Sequence, residues 1–163
     1  MKKNVKPIPD GFHTVTPYLI VKGAARAIDF YKKAFGARER YRFPGPDGRI
    51  GHAEIIIGNS ILMLADEFPQ FDCHSPQTLK GTPVSFTIYV KDADAAFKKA
   101  VRAGARVKQP VEDKFYGERA GCVRDPFGHH WTLMTHIEDL TVKEVTRRMQ
   151  EFCAKLPPKK KGK

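Results

Sequence analysis

Cysteine is scarce in this chain, and no pair of cysteines has the spacing of a metal or disulfide motif. Cys73, Cys122 and Cys153 are the only three, they lie far apart, and no C-x-x-C occurs. This excludes a disulfide framework or a structural zinc site as the basis of the fold. No apolar run approaches the roughly 20 residues that span a membrane, and no apolar segment follows the lysine-rich start as in a secretory signal. The sequence therefore favours a cytoplasmic protein without a membrane contact.

Net charge is the one compositional feature that suggests a nucleic-acid partner. The chain carries a formal charge of +11. Much of that excess lies near the two ends, in Lys2, Lys3, Lys6, Lys155, Lys159, Lys160, Lys161 and Lys163. A short segment rich in lysine and proline, such as 155–163, is typical of a disordered, solvated tail. Nucleic acid is therefore not expected as the main partner, and a polyanion held by the tails stays an alternative.

A pattern in the first half of the chain recurs in the second. The letters VK at 21–22 and GAR at 36–38 return at 90–91 and 104–106, at an offset of about 70 residues. An Ala-rich stretch lies between them in both copies. Self-similarity at a fixed spacing indicates two copies of one structural unit.

Each copy has the pattern of one strand, one helix and three further strands. Alternating apolar residues predict strands at 14–21 and 83–90, and helical spacing predicts helices over 24–35 and 93–103. The further strands are predicted at 38–43, 50–57 and 60–65, and again at 106–111, 119–124 and 130–135. Thr141 and Glu144 match a capping box, which predicts a closing helix with an apolar stripe of Val142, Val145, Met149 and Phe152.

These elements divide the chain into an extension, two modules, a linker, a helix and a tail. The expected segments are an N-terminal extension at 1–12, a first βαβββ module at 13–65, a linker at 66–82, a second βαβββ module at 83–137, a C-terminal helix at 138–154 and the basic tail at 155–163. The fold class that follows is α+β.

Several short motifs in this order resemble the vicinal oxygen chelate superfamily, and its glyoxalase-like branch in particular. That superfamily includes glyoxalase I, extradiol dioxygenases, and the fosfomycin- and bleomycin-resistance proteins. The matching motifs are TPYL at 16–19, AIDFY at 27–31 with FG at 35–36, AGA at 103–105, YGER at 116–119 and DPFGH at 125–129. The resemblance covers about residues 14–135 and implies two paired βαβββ modules forming a curved, half-open sheet around a cavity. It also implies a homodimer.

The resemblance maps four metal-ligand positions onto residues that are poor metal ligands. Enzymes of the superfamily hold a divalent metal through the first and last strand of each module, and these positions correspond to Thr16, Met63, Ser85 and Thr132. Such metals prefer carboxylate or imidazole groups. We therefore expect no cofactor and loss of the usual metal, while a displaced metal site stays open.

Other polar residues are candidates for chemistry at the cavity. His52 and Glu54 lie two apart on a predicted strand and so share a face; they are interpreted as a base and its orienter, as ligands of a displaced metal, or as a solvated polar row. His130 shares the parity of Thr132 and is a further catalytic candidate or an ordinary strand-start histidine. Tyr116 and Arg119 flank a glycine and are candidates for clamping an anionic group.

Two functions follow from these residues. The first is binding of an unidentified small molecule without a metal, in a pocket lined by Tyr18, Met63, Tyr89 and Met134. The second is a lyase- or dioxygenase-type enzyme acting on a small, oxygen-rich substrate through His52, Glu54 and His130. In both, Trp131 is expected in the core by its opposite parity to Thr132, and His129, in the preceding turn, is expected to be exposed.

Overall fold

The fold consists of two copies of one βαβββ unit followed by a helix. A computed structural model describes residues 5–155. The sequence predictions for 1–4 and 156–163, including most of the basic tail, lie outside these residues. The first module contains β1 (Tyr18–Val21), α1 (Ala24–Phe35), β2 (Arg38–Pro44), β3 (Ile50–Ile57) and β4 (Ser60–Asp66). The second contains β5 (Ser85–Tyr89), α2 (Ala93–Arg102), β6 (Arg106–Lys114), β7 (Glu118–Arg124) and β8 (His130–His136), and α3 (Val142–Ala154) follows.

The two sheets have the same topology. Their strand orders are β1-β4-β3-β2 and β5-β8-β7-β6. In each, the first strand pairs in parallel with the last, and the other pairs are antiparallel. This repetition confirms the α+β class and the paired βαβββ architecture.

The first strand of each module is shorter than predicted. β1 begins at Tyr18, and Val15, expected on the buried face, is 82% exposed. Pro17 has no N–H for a ladder, and only its carbonyl reaches β4, where it accepts a hydrogen bond from the Met63 N–H at 2.9 Å. Residues 14–16 therefore have the alternating sequence pattern of a strand but lie before β1 and form none.

The outer strands, β2 and β6, are irregular. The pairing of β2 with β3 shifts register between Glu39 and Tyr41, so Arg40 is an extra, bulged residue. The pairing of β6 with β7 shifts twice, between Val107 and Glu112, and Pro110 lies within that stretch. A proline is tolerated there because β6 is at the edge of its sheet.

A buried carboxylate connects the two modules. Asp125, in the turn between β7 and β8, is buried and accepts four hydrogen bonds. Its Oδ2 accepts from the Tyr31 hydroxyl of α1 and from Trp131 Nε1, both at 2.8 Å. Its Oδ1 accepts from the backbone N–H groups of Phe127 and His129, both at 2.9 Å. One side chain thus closes its own turn and attaches the first module to the second.

An aromatic cluster surrounds this carboxylate and forms the shared core. Trp131 is buried as predicted, and its ring centroid lies 5.4 Å from that of Tyr31 and 4.7 Å from that of Phe86. Burial and the neighbouring Asp125 charge raise the pKa of Tyr31 well above its ordinary value, so its hydroxyl stays a donor. The core therefore runs from α1 across the module boundary to β5 and β8.

The closing helix begins as predicted but its apolar stripe is mostly exposed. Thr141 Oγ1 accepts from the Glu144 N–H at 3.2 Å, which caps α3. Val142 is 84% exposed, and the clearest aromatic contact of the helix is that of Phe152 with Phe115, at 5.2 Å between ring centroids. Within residues 5–155 no helix has the length and apolarity to cross a bilayer.

We expect Tyr31→Phe to lower the free energy of unfolding by about 1.5–3 kcal/mol, the range for a hydrogen bond to a charged group. It removes a donor to the buried Asp125 carboxylate and little else. Urea denaturation measures this change. The matched control is Tyr89→Phe, at an exposed tyrosine, with an expected change within about 0.5 kcal/mol. Equal effects of the two substitutions would contradict the role given to Asp125.

Candidate functional site

The side of the first sheet away from the helices carries a row of polar and aromatic side chains, and we call this side the open face. Strand register places Tyr41 opposite Glu54, Glu54 opposite Met63, and Met63 opposite Tyr18. His52 lies two residues before Glu54 on the same face, as the alternation predicts. The predicted candidates Tyr18, His52, Glu54 and Met63 therefore lie together on one surface.

Glu54 is at the centre of this row and is not solvated. It is only 3% exposed, which excludes the interpretation of a solvent-facing polar row. Its Oε2 pairs with the Arg40 guanidinium at 2.5 Å, and its Oε1 accepts from the Tyr41 hydroxyl. Because the bulge at Arg40 turns two consecutive residues toward Glu54, both β2 side chains reach one carboxylate. The bond to Glu54 raises the pKa of Tyr41.

His52 connects Glu54 to Tyr18. Its Nε2 is 3.6 Å from Glu54 Oε1, and its Nδ1 is 3.0 Å from the Tyr18 hydroxyl oxygen. Partial burial, and secondarily the charge of Cys73, raise the pKa of Tyr18. The phenol therefore stays protonated near neutral pH and is available to donate or accept a hydrogen bond.

The corresponding face of the second sheet also carries a buried carboxylate, Glu118, which is 8% exposed and whose Oε1 is 3.0 Å from His136 Nδ1. Tyr89 lies opposite Met134, Thr87 opposite Thr132, and Ser85 opposite His130. The predicted parity of His130 with Thr132 and Met134 is therefore observed. The role of each of these side chains in binding or catalysis stays a prediction.

The four mapped metal positions do not form a metal centre. Thr16 lies before β1, and its Oγ1 donates to the His13 carbonyl at 3.1 Å. Ser85 is exposed at the first position of β5, and Met63 and Thr132 face away from the helices. Transition metals are bound mainly by imidazole, carboxylate or thiolate groups, and these residues supply hydroxyls and a thioether. Among residues 5–155, no group of three or more His, Cys, Asp or Glu side chains is placed to bind a metal. The donor set does not fit the family's metal.

Two grooves lie at the boundary between the modules, each lined by residues of both. The first groove, of about 370 Å³, is lined by Thr87 and Tyr89 among others. The second, of about 440 Å³, is lined by Tyr18, His74 and His129, and we call it the seam groove. Met63 and Met134 line neither groove, and Tyr18 and Tyr89 line different ones.

His129 was expected to be exposed, and the structure places it in the interior at 7% exposure. The reason is Asp125, which accepts from the His129 N–H and folds the turn inward. The ring Nε2 is 3.3 Å from the Ile20 carbonyl oxygen of the first module. Because a carbonyl only accepts, Nε2 carries the proton, and burial lowers the pKa of this imidazole. Its Nδ1 is then a lone-pair acceptor.

Two buried imidazole nitrogens at the seam groove have no partner among the residues that the structure describes. These are Nδ1 of His129 and Nδ1 of His74. His74 lies in the linker, and its Nε2 is 3.2 Å from Asp72. No sequence pattern selects His74, because alternation and helical spacing do not describe how a linker folds. Buried polar groups normally have hydrogen-bond partners, so each of these two rings beside the groove can accept or donate one more hydrogen bond.

Arg119, which the sequence predicts to clamp an anion together with Tyr116, is paired with carboxylates of the chain itself. Arg119 lies opposite Thr135, on the helix-facing side of its sheet, and donates two hydrogen bonds to Asp94 of α2 and one to Asp113. Its charge is therefore already neutralised, away from the open face. Tyr116 packs edge-to-face on Phe115, with 5.1 Å between ring centroids.

Comparison of this chain with known proteins identifies the family to which its paired βαβββ fold belongs. Residues 11–133 match the model of the Glyoxalase/Bleomycin resistance protein/Dioxygenase superfamily. The chain belongs to this superfamily.

Relatives extend over most of the chain. An uncharacterized protein of Mycobacterium tuberculosis is 43% identical over 152 residues, which cover 91% of this chain and 86% of that protein. The crystal structure of TioX from Micromonospora sp. ML1 is 30% identical, with a TM-score of 0.59, and the match covers 77% of this chain and 99% of TioX. The X-ray structure of a gene product from Arabidopsis thaliana is 31% identical with a TM-score of 0.61, covering 75% and 98% of the two chains.

We expect the burial of His129 to make stability depend on pH below about 6.5, the ordinary histidine pKa. The folded chain resists protonation of this ring while the unfolded chain accepts it. The free energy of unfolding therefore falls as pH decreases through 6.5 toward the lowered pKa of the folded state, by up to about 1.4 kcal/mol per pH unit.

The variant His129→Gln tests this, because glutamine keeps an N–H for the Ile20 carbonyl and does not titrate. Urea unfolding from about pH 7.5 to about pH 5.5 should show the wild type losing stability faster than the variant. The pKa of His136 is raised by Asp139 and Glu118, so this group changes the free energy of unfolding in the opposite direction with pH. Its contribution is the same in both proteins and cancels in the comparison. Parallel profiles would contradict the assignment.

Proposed function

We propose that the protein binds a small organic molecule in the seam groove, without the divalent metal of its enzymatic relatives. The observation that carries this proposal is that His74 and His129, each with a buried Nδ1 that has no partner among residues 5–155, line one groove together with Tyr18. The groove volume of about 440 Å³ lies within the usual range for small-molecule sites.

The lining of the groove indicates the chemistry of the ligand. Ile20, Pro83, Val84 and Phe86 supply apolar walls. Nδ1 of His129 offers a lone pair and no charge, so it favours a neutral O–H or N–H donor over an anion. A mainly apolar molecule with one hydroxyl or N–H group satisfies both features.

A pair of probes tests this ligand class directly. Titration of the full chain with 4-cresol, followed by imidazole ¹⁵N chemical shifts, should move the His129 resonances at saturation. The methyl ether of the same probe, 4-methylanisole, lacks the donor and should bind about tenfold more weakly, the cost of about one hydrogen bond.

Matched variants locate the site. His129→Phe removes the acceptor and should abolish the preference for 4-cresol, while Phe71→Ala, at an exposed aromatic outside the groove, should leave it unchanged. Circular dichroism checks that both variants fold. Equal binding of the two probes by the wild type would overturn the proposal.

Metal analysis tests the second part of the proposal. We expect purified full-length protein to hold substoichiometric divalent metal, and the affinity for 4-cresol to be the same before and after dialysis against EDTA. The reason is the donor set at Thr16, Met63, Ser85 and Thr132, which offers neither carboxylate nor imidazole. A stoichiometric, slowly exchanging Zn, Ni or Mn ion would contradict it.

A second candidate function is an enzyme acting on a small, oxygen-rich substrate. The chain of contacts from Glu54 through His52 to Tyr18 favours it. Glu54 would orient the imidazole, His52 would hold or pass the proton at Nδ1, and the Tyr18 phenol would exchange it with a substrate oxygen at the groove. Turnover of lactoylglutathione or of a catechol, abolished in His52→Asn with probe binding retained, would favour this function over simple binding.

Oligomeric state and location complete the proposal. We expect the protein to be cytoplasmic. We also expect a homodimer, because exposed aromatic residues, including Phe43 at 61% and Tyr89 at 65%, remain on the surface of the single chain. Light scattering on the full chain measures the oligomeric state. The basic tails are not expected to hold nucleic acid at physiological salt.

A further inference from the structure

Two arginines face each other across β6 and β7 without a counter-charge. Arg106 is the register partner of Arg124. Neither side chain has a hydrogen bond or a carboxylate within ion-pair distance in the part of the chain that the structure describes. By contrast, six other arginines are in ion pairs: Arg40, Arg42, Arg49, Arg119, Arg147 and Arg148.

The same pair of strands shows that this arrangement is exceptional. Its other charged register pairs are complementary, with Asp113 opposite Arg119 and Lys114 opposite Glu118. Like charges directly opposite in an antiparallel pair destabilise the sheet. The Arg106–Arg124 pair therefore has a cost in folding that its neighbours in the ladder do not have.

The two guanidinium groups border a cavity of about 310 Å³ at the end of the second sheet. Its wall is completed by the linker and by the turn after β7, and its lining residues are Gln77, Gly104, Arg106, Arg124, Asp125, Pro126 and Gly128. Gln77 is held there by the hydrogen bond from its Nε2 to the Pro126 carbonyl, at 2.8 Å. A side chain at position 104 would meet no atom within 4 Å, so the cavity is open on that side.

Asp125 is the one acidic residue in this lining, and it makes no ion pair with either arginine. Its two oxygens already accept four hydrogen bonds from Tyr31, Trp131 and the turn backbone. It has no ion pair with Arg124. His130, the register partner of Arg124 on the other side, adds a third basic group to the same row.

We propose that Arg106 and Arg124 form a binding site for an oxyanion of the phosphate type, free or as part of a small molecule. Planar guanidinium groups bind such anions through paired N–H donors, and an anion between them converts the repulsion into two attractions. The cavity is larger than inorganic phosphate alone and has room for an attached organic group. The site is separate from the seam groove, and its test does not depend on the proposed function.

Titration of the full chain with inorganic phosphate at low ionic strength tests the proposal, followed by the midpoint of thermal unfolding and by backbone amide shifts. We expect saturable stabilisation and the largest shifts around 104–106 and 124–128. Arg106→Gln and Arg124→Gln should each weaken phosphate binding about tenfold or more. Arg38→Gln and Arg102→Gln are the matched controls, since these exposed arginines lie outside the cavity, and should bind as the wild type does.

The sign of the stability change separates a binding site from a structural role. Without phosphate, Arg106→Gln removes the repulsion and should unfold at the same temperature as the wild type or a higher one. At saturating phosphate the order should reverse, because only the wild type gains the bound anion. Loss of stability in both buffers, or equal phosphate protection of the wild type, the site variants and the controls, would overturn the proposal and assign phosphate binding to general basic charge.

Discussion

The Asp125 carboxylate is the constraint on which the rest of the structure depends. An isolated buried charge is unfavourable, and this one is tolerated because four donors converge on it. Two of those donors come from its own turn and one comes from the other module, so one side chain both closes the turn and joins the modules. The same turn holds His129 in the interior, where its ring reaches the Ile20 carbonyl.

The open face of the first module is assembled by strand register from several strands. Strand register still gathers side chains from β1, β3 and β4 onto one surface. The polar centre, however, is Glu54, on a strand that the family's metal positions do not include, and it is held by Arg40 and Tyr41 from the outer strand. A carboxylate bound in this way is already satisfied by protein groups. It lies 3.6 Å from His52 Nε2, and Nδ1 of the same ring is 3.0 Å from the Tyr18 hydroxyl oxygen.

Alternation and helical spacing predicted most of the fold, because both report which side of an element is buried. They placed α1 at 24–35 and β3 at 50–57 at their observed bounds, and put His52 with Glu54 and His130 with Thr132 on shared faces. They failed where no period applies. The turn at 125–129 is shaped by one carboxylate, the linker that carries His74 has no repeating pattern, and the bulge at Arg40 depends on its partner strand. Arg119 was predicted to bind an anion because it follows a loop glycine. In the structure its side chain points toward α2, on the opposite face of β7 from Ala120.

The irregular outer strands have a consequence for how copies of this chain can associate. A regular outer strand is a template onto which another polypeptide can add through its backbone, and such addition leads to aggregation. The bulge at Arg40 and the proline at position 110 interrupt the free row of backbone donors and acceptors on both β2 and β6. Addition of another chain through its backbone to β2 or β6 is thereby disfavoured.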